Sequence, residues 1–310
     1  MPNPNHTPAV SRSTLYQDEP FKTRPIEKLL LTLFLSVGFV TLLIAAFFDQ
    51  NITKAVMDRS SDFGHFFQVY GTKGPNIVLF VAFQLLAWYS FFKMGGKVLK
   101  FFMTTGFLGL SMGQILFGLN GYFGYTLATF INGTTKHVPD PKPGAFLFSL
   151  AVTAVISVLF YLGLRNKNDD DLEYLKNAAI VGIALFFVVS FVIGDLKLHW
   201  GRWRPFEMDG NFSQFTPWFH PNGSNGHVSF PSGHTTSGWM MLYLPFYFTR
   251  DNRLFQRIFT TLGIVLAITI ALSRVRYGAH WLSDVTAASL IVGSLVFMAS
   301  RLLKAHFVEE

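Results

Sequence analysis

The sequence predicts an all-α protein, a polytopic bundle of about eight transmembrane helices. Two observations indicate this fold, the scarcity of charge and the length of the apolar runs. The 310-residue chain is 50% hydrophobic and only 14% charged, whereas a soluble domain is nearer a quarter charged. Most of its apolar runs approach the ~20 residues that a helix needs to cross the hydrocarbon of a bilayer.

The eight apolar runs follow one another from Leu29 almost to the C-terminus, separated by polar and basic connections. They lie at roughly 29–48, 76–92, 101–120, 144–164, 177–195, 235–249, 256–273 and 285–303. The sixth run is short for a crossing unless its helix begins earlier, near residue 231. A six-helix core with an irregular N-terminal addition is the alternative count.

The runs divide the chain into four parts. We expect a polar tail at 1–28, N-terminal transmembrane helices and an interfacial segment at 29–100, a six-helix core at 101–303, and a short tail at 304–310. Residues 50–75 mix polar and aromatic side chains, which fits an amphipathic interfacial helix or a plain outer loop. Residues 101–131 are apolar for longer than one crossing needs, so their end is expected to be re-entrant or interfacial.

Basic residues predict the orientation of the bundle. With the N-terminus inside, 15 of the 25 Lys and Arg residues fall on inner connections, as the positive-inside rule requires. Both termini are then cytoplasmic, and in a bacterial inner membrane the outer loops face the periplasm. The basic residues form no dense patch, which argues against a nucleic-acid partner. The chain has no Cys, which excludes disulfide and thiolate chemistry.

The string Pro231-Ser232-Gly233-His234 directly precedes the sixth run. Proline suits the first position of a helix, so backbone N–H groups near Ser232 and Gly233 are expected at a helix N-terminus. Such a terminus attracts anions, and a glycine lets a phosphate approach the backbone closely. On its own the string also fits an ordinary Pro-Ser turn that enters a helix.

A second string, Ser273-Arg274 followed by His280 and Asp284, lies between the last two runs. Four residues separate His280 from Asp284, so on a helix the two side chains share one face. Asp284 then accepts a hydrogen bond from one imidazole nitrogen and leaves the other free as a nucleophile. Arg274 offers a planar fork for phosphate oxygens. A capping aspartate beside an interfacial histidine is the simpler alternative for the pair alone.

A third string, Lys197 with Arg204-Pro205, follows the fifth run. Singly, each of these cations also fits a side chain that snorkels to the membrane interface. Arg202 and Arg276 are assigned to the interface or to a supporting position behind the site. All three strings stand at ends of runs on the predicted outer side, and together they supply a phosphoryl-transfer site. They contain no carboxylate cluster of the kind that Mg²⁺ prefers, so we expect no metal or other cofactor.

Together the three strings resemble the motifs of the phosphatidic-acid phosphatase type 2 superfamily, complete at every motif position between residues 197 and 284. The resemblance implies that His280 attacks phosphorus to form a phosphohistidine and that Asp284 orients it. It implies that His234 protonates the leaving oxygen and then activates water. The resemblance assigns the phosphate oxygens to Lys197, Arg204, Ser232, Gly233 and Arg274. The apolar runs favour its integral-membrane lipid phosphatases over its soluble members.

The expected function is therefore hydrolysis of a lipid phosphate monoester or diphosphate at the extracytoplasmic face. Candidate substrates are undecaprenyl pyrophosphate, phosphatidic acid, phosphatidylglycerol phosphate and lipid A phosphates. Two alternatives stay open: a phosphotransferase that passes the same phosphoryl group to a lipid acceptor, and a non-catalytic membrane protein that binds an anion. The expected partners are the lipid substrate and the bilayer itself.

Overall fold

The computed structural model describes residues 21–119 and 144–309, and within these ranges the fold is helical with no strand. The helices, in chain order, are α1 (Pro25–Val56), α2 (Asp62–Tyr70), α3 (Gly74–Lys93), α4 (Lys97–Gly113), α5 (Gly144–Leu164), α6 (Asp169–Trp200), α7 (Gly233–Met240), α8 (Arg253–Arg276) and α9 (Leu282–Leu302). In the part of the chain described, seven helical segments are long and apolar enough to cross a membrane. The predicted all-α polytopic fold is confirmed.

The sixth predicted run does not form a full span. Helix α7 changes at Met241 into a 3-10 helix that ends at Tyr247 and contains Pro245. Proline has no N–H to donate and clashes with the preceding turn, so an α-helix does not continue through it. Eight α-helical residues at ~1.5 Å each and seven 3-10 residues at ~2.0 Å each give roughly 26 Å, which is short of the ~30 Å hydrocarbon thickness. The count of described spans is therefore seven, not eight.

The end of the third run falls outside the described residues. Helix α4 continues into a π-helical turn at Gln114–Leu119, and the predicted re-entrant end of this run lies in the range that follows. Residues 50–75, for which a helix and a loop were both open, contain α2 and the C-terminal end of α1. The boundary predicted at residue 100 stays a prediction.

The short helix α7 lies at the centre of the bundle, between α3, α6, α8 and α9. Its extension carries Tyr243, whose hydroxyl donates to the Ala178 carbonyl of α6 at 2.7 Å. Tyr247 donates to the Val78 carbonyl of α3 at 3.1 Å. These bonds satisfy phenol groups that would be costly to bury unpaired, and they fix the depth of α7. The N-terminus of α7 is thereby held at one end of the bundle.

Helix α1 packs along α9. Its N-terminal end is anchored by Glu27, whose carboxylate lies 2.9 Å from Arg301 Nη1 and 2.7 Å from His306 Nδ1. Its C-terminal end carries Asp49, a buried carboxylate that contacts Ser283 at the start of α9. Both ends of α1 are therefore fixed by polar contacts, while its flank exposes apolar side chains such as Phe39 and Phe47.

Close packing between α3 and α7 gives a first testable prediction. The Gly74 N–H donates to Ser237 Oγ at 2.9 Å, and a Cβ at Gly74 would lie 2.0 Å from the Ser237 carbonyl oxygen. Gly74→Ala should therefore force the helices apart and destabilise the protein by about 1–3 kcal/mol, measured by thermal unfolding in detergent. The control is Gly106→Ala, where a Cβ meets open space. Equal melting temperatures for the two variants would contradict this packing.

Candidate active site

The side chains of the three strings meet at one end of the bundle. Lys197 stands near the end of α6, and its Cε lies 3.6 Å from the position of a Cβ on Gly233, the first residue of α7. The Ser232 N–H donates to the Asp284 carbonyl at 3.1 Å, and the His280 N–H points to the Arg274 carbonyl at 3.4 Å. The ends of α6, α7, α8 and α9 are thus tied together around these residues.

His280 lies in the loop before α9 and is 2% exposed. Its Nδ1 is 2.7 Å from the Ser229 carbonyl oxygen and 3.6 Å from Asp284 Oδ2. Because a carbonyl only accepts, Nδ1 carries the proton in the neutral ring and Nε2 keeps its lone pair. The nitrogen that carries no proton in the neutral ring is therefore Nε2.

The prediction that His280 and Asp284 share a helical face is wrong. The chain reverses at Gly278, which has φ +68°, a conformation that glycine adopts readily. Helix α9 begins at Leu282, and Asp284 in its first turn accepts from the Trp281 N–H at 3.0 Å. Asp284 therefore stabilises the helix N-terminus, and the imidazole approaches its carboxylate from the loop.

Burial lowers the pKa of His280 to about 4, while the neighbouring Asp284 carboxylate opposes this shift. A lowered pKa means that the ring charges only below the ordinary histidine value of ~6.5. In ¹⁵N-histidine-labelled protein, the His280 resonance should keep its neutral-ring shift down to about pH 5 and titrate near pH 4. His280→Ala would assign the signal by its loss. A midpoint near pH 6.5 would contradict the burial.

The Asp284 carboxylate is fully buried and is held by three donors. Arg202 Nη1 donates to Oδ1 at 2.6 Å, and Ser229 Oγ and the Trp281 N–H donate to Oδ2 at 2.5 and 3.0 Å. Arg202 is itself 0% exposed, so of the two positions expected for it, the supporting one is correct. No motif signalled this contact, because Arg202 and Asp284 lie 82 residues apart in sequence.

Ser232 and Gly233 form the predicted helix N-terminus. Ser232 is the N-cap of α7, and its Oγ accepts from the Thr235 N–H at 3.3 Å and from Thr235 Oγ1 at 2.9 Å. The helix begins at Gly233, so Pro231 precedes it by two residues. Backbone N–H groups at this terminus carry the positive end of the helix dipole. An anion is therefore favoured between α7 and the cations around it.

The side-chain nitrogens of Lys197 and Arg204 have few hydrogen-bond partners among the residues described. Lys197 Nζ donates to the Val228 carbonyl at 2.7 Å, a neutral partner. Arg204 Nε is buried and finds no hydrogen-bond partner among the residues described; Glu207 Oε1 lies 3.8 Å from it. An unpaired buried N–H costs free energy. A phosphate oxygen that accepts from it would remove that cost.

Helix α2 contacts Arg274 and His234, the other two hydrogen-bond donors of the site. Gln68 Oε1 accepts from Arg274 Nη1 at 2.6 Å, the Gly64 carbonyl accepts from Arg274 Nη2, and His234 Nε2 is 3.2 Å from the Gln68 carbonyl. These acceptors are neutral, so the charge of Arg274 stays uncompensated by them. Sequence reasoning missed Gln68, because residues 50–75 carry none of the motifs.

Within residues 21–119 and 144–309, no group of three or more His, Cys, Asp and Glu side chains is arranged to hold a metal ion. The titratable groups of the site are the three cations Lys197, Arg204 and Arg274, the histidines His234 and His280, and the Arg202–Asp284 pair.

Known proteins resemble the part of the chain that holds this site. The model of the PAP2 superfamily matches residues 173–307. The chain is 30% identical over 176 residues to "Probable lipid phosphate phosphatase 4" of Arabidopsis thaliana. The aligned residues cover 50% of this chain and 54% of the relative. It is 36% identical over 95 residues to phosphatidylglycerophosphatase B of Haemophilus influenzae, covering 29% and 39%.

The third relative is lipid A 1-phosphatase of Rhizobium johnstonii, 38% identical over 112 residues that cover 34% of this chain and 41% of the relative. The chain thus spans about half the length, or less, of these curated relatives. No solved structure gives a significant match. The residues 173–307 that match the PAP2 superfamily include every side chain of the three strings.

Proposed function

We propose that this protein is a lipid phosphate phosphatase that works through a phosphohistidine on His280. One observation carries the proposal: the buried neutral ring of His280 keeps a free Nε2 lone pair close to the cations Lys197 and Arg204, and the second histidine, His234, lies close to His280 and Arg274. An anion-binding protein needs the cations but not the nucleophile. The relatives are named as phosphatases of lipids, which supports a lipid substrate.

In the first step, the Nε2 lone pair of His280 attacks phosphorus and the bond from phosphorus to the leaving oxygen breaks. The electron pair of that bond goes to the leaving oxygen, which takes a proton from His234. The imidazole gains positive charge as the P–N bond forms. Its Nδ1–H stays bonded to the Ser229 carbonyl, and the Asp284 carboxylate 3.6 Å away balances the charge.

In the second step, water attacks phosphorus and the P–N bond breaks. His234 now takes a proton from the water, so the same residue acts as acid and then as base. Inorganic phosphate leaves, and His280 regains its lone pair. The proton that His234 gave to the leaving oxygen is thereby replaced, and each cycle consumes one water.

The cations stabilise the phosphoryl oxygens as negative charge spreads over them. Lys197 and Arg204 approach from the α6 side, and the N–H groups near Gly233 approach from α7. Arg274 and His234 exchange their neutral acceptors on α2 for phosphate and leaving-group oxygens. The residues that hold phosphate in this proposal are thus Lys197, Arg204, Ser232, Gly233 and Arg274, without a metal.

The distribution of basic residues along the chain supports a reaction at the extracytoplasmic face. The site lies at the end of α6 where Lys197 stands, opposite the end that carries the acidic and basic residues of the predicted cytoplasmic loops. The positive-inside rule puts this end at the extracytoplasmic face, which in a bacterial inner membrane is the periplasmic face. The substrate is a lipid whose phosphate or diphosphate reaches that surface.

The test is phosphate release by the detergent-purified protein from a panel of lipid mono- and diphosphates in the presence of EDTA. The panel holds undecaprenyl pyrophosphate, phosphatidic acid, phosphatidylglycerol phosphate and lipid A phosphates. Release from at least one lipid is expected, and the preferred lipid defines the substrate. Transfer to an added lipid acceptor instead of water would indicate the phosphotransferase. Binding without either reaction would indicate an anion-binding protein and overturn the proposal.

A further inference from the structure

Asp49, near the C-terminal end of α1, is a buried carboxylate that none of the three motifs uses. It is 1% exposed, and it lies outside the residues matched by the PAP2 superfamily. Its Oδ1 accepts from the Ser283 N–H at 3.1 Å, and its Oδ2 is 3.0 Å from Arg202 Nη2 and accepts from Ser283 Oγ. A buried carboxylate is costly unless it is paired in this way.

Arg202 connects Asp49 to the catalytic carboxylate. Its Nη2 binds Asp49 at 3.0 Å, while its Nη1 binds Asp284 at 2.6 Å and Ser283 Oγ at 2.7 Å. Its Nε donates to the Thr216 carbonyl at 2.9 Å, so every nitrogen of the guanidinium is engaged. All three charged side chains are at most 1% exposed. Water therefore screens the charges only weakly along this chain of contacts.

These contacts form the Asp49–Arg202–Asp284 ladder. Its net charge determines how well Asp284 can balance a positive charge on His280. With Arg202 and Asp284 alone, the pair is neutral, and little negative charge is left to balance the imidazolium that forms when His280 attacks. When Asp49 is ionised, a form that Arg202 and the two Ser283 donors stabilise, it adds a second negative charge, and the three groups together carry one net negative charge. The guanidinium is then shared between two carboxylates.

We infer that Asp49 is a positioning residue for the phosphoryl-transfer step: through Arg202 it orients Asp284 and leaves that carboxylate free to balance the charge on His280. This inference rests on the proposed function. It gives α1, which lies outside the matched region, a part in the reaction. The substrate need not touch Asp49, so its effect is expected in the rate of the chemical step and not in substrate binding.

Asp49→Asn is the sharpest variant, because it removes the charge and keeps the shape. An amide also places an N–H₂ against one of the donors that Asp49 now accepts from, Arg202 or Ser283. On the lipid that the wild type hydrolyses best, we expect kcat to fall by about tenfold or more, with KM changed by less than about twofold. Formation of the phosphohistidine should slow by the same factor as kcat.

Glu27→Gln is the matched control. Glu27 lies on the same helix and is also largely buried and paired with an arginine, but it lies at the N-terminal end. Its loss should weaken the anchoring of α1 by a comparable amount and leave kcat unchanged. The thermal unfolding temperatures of the two variants show whether the substitutions destabilise the protein by similar amounts.

Three results would overturn the inference: wild-type kcat in Asp49→Asn, a rise in KM at constant kcat, or an equal loss of kcat in Glu27→Gln. If Asp49→Asn does not fold, Ser283→Ala replaces it. This change removes the hydroxyl between Asp49 and Arg202 and keeps both charges. It should lower kcat severalfold at constant KM, and an unchanged kcat would overturn the inference. Failure of the wild type to release phosphate from any lipid would instead overturn the proposed function, and this inference with it.

Discussion

His280→Ala protein should release no measurable phosphate from the lipid that the wild type hydrolyses, a loss of at least about 10⁴-fold. The substitution removes the only atom in the proposed mechanism that bonds to phosphorus before water does. The cations and the helix N-terminus stay in place, so the variant should still bind substrate. Phosphate release under saturating lipid, with binding measured separately, distinguishes these two effects.

The matched control for this loss is His199→Ala. His199 lies on α6 only two residues from Lys197, but its side chain is 70% exposed and contacts Asp195 of the same helix. Its removal should leave the rate within about twofold of wild type, as is usual for exposed substitutions. Substantial activity in folded His280→Ala, or a comparable loss in His199→Ala, would contradict the assignment of the nucleophile.

The largest effect on stability is expected from Arg202→Met. The substitution leaves the Asp49 and Asp284 carboxylates buried together without their shared cation. Removing one partner from a buried ion pair typically costs about 3–5 kcal/mol, and here two carboxylates lose it. We expect a marked fall in the thermal unfolding temperature in detergent, together with loss of phosphate release.

Arg276→Met tests whether burial of the ion pair causes the loss of stability expected for Arg202→Met. Arg276 also pairs with an aspartate, Asp58, at 2.8 Å, but its side chain is 45% exposed. Exposed ion pairs contribute about 0–1 kcal/mol, so this variant should unfold close to the wild-type temperature. If the two arginine variants unfold at the same temperature, the central role of the Asp49–Arg202–Asp284 ladder is wrong.

Most of the fold could be predicted from the sequence, because a bilayer imposes a simple rule on length and polarity. Seven of the eight apolar runs lie in helices that are long enough to cross. The run at 235–249 does not form a full span, because the α-helix does not continue through Pro245. Hydropathy measures polarity and does not detect this change of backbone conformation. A buried core helix and a membrane helix are similarly apolar, and α7 is surrounded by protein.

The site could be predicted only in part. The structure brings the side chains of the three strings together and places His280 Nδ1 3.6 Å from Asp284, but the two residues do not share a helix as predicted. A spacing of four residues places two side chains on one face only where a helix continues, and Gly278 and the cap at the start of α9 end that continuity. Local spacing therefore predicted proximity, while the backbone conformation determined the hydrogen bonds.

The contacts that were missed join distant parts of the chain. Asp49 lies 153 residues from Arg202, and Gln68 lies 206 residues from Arg274. No periodicity or local motif records such pairs, since they form only when α1 and α2 pack against the core. Both come from the N-terminal part of the chain, which carries none of the three strings.

Trapping the phosphoenzyme tests the central claim most directly. Protein mixed with ³²P-labelled lipid phosphate and quenched within milliseconds should carry label that is lost in acid and retained in alkali, as a phosphoramidate is. Peptide mapping should place the label on the peptide that contains His280, and His280→Ala should carry none. Label on another residue, or rapid hydrolysis without any labelled protein at any quench time, would contradict the account.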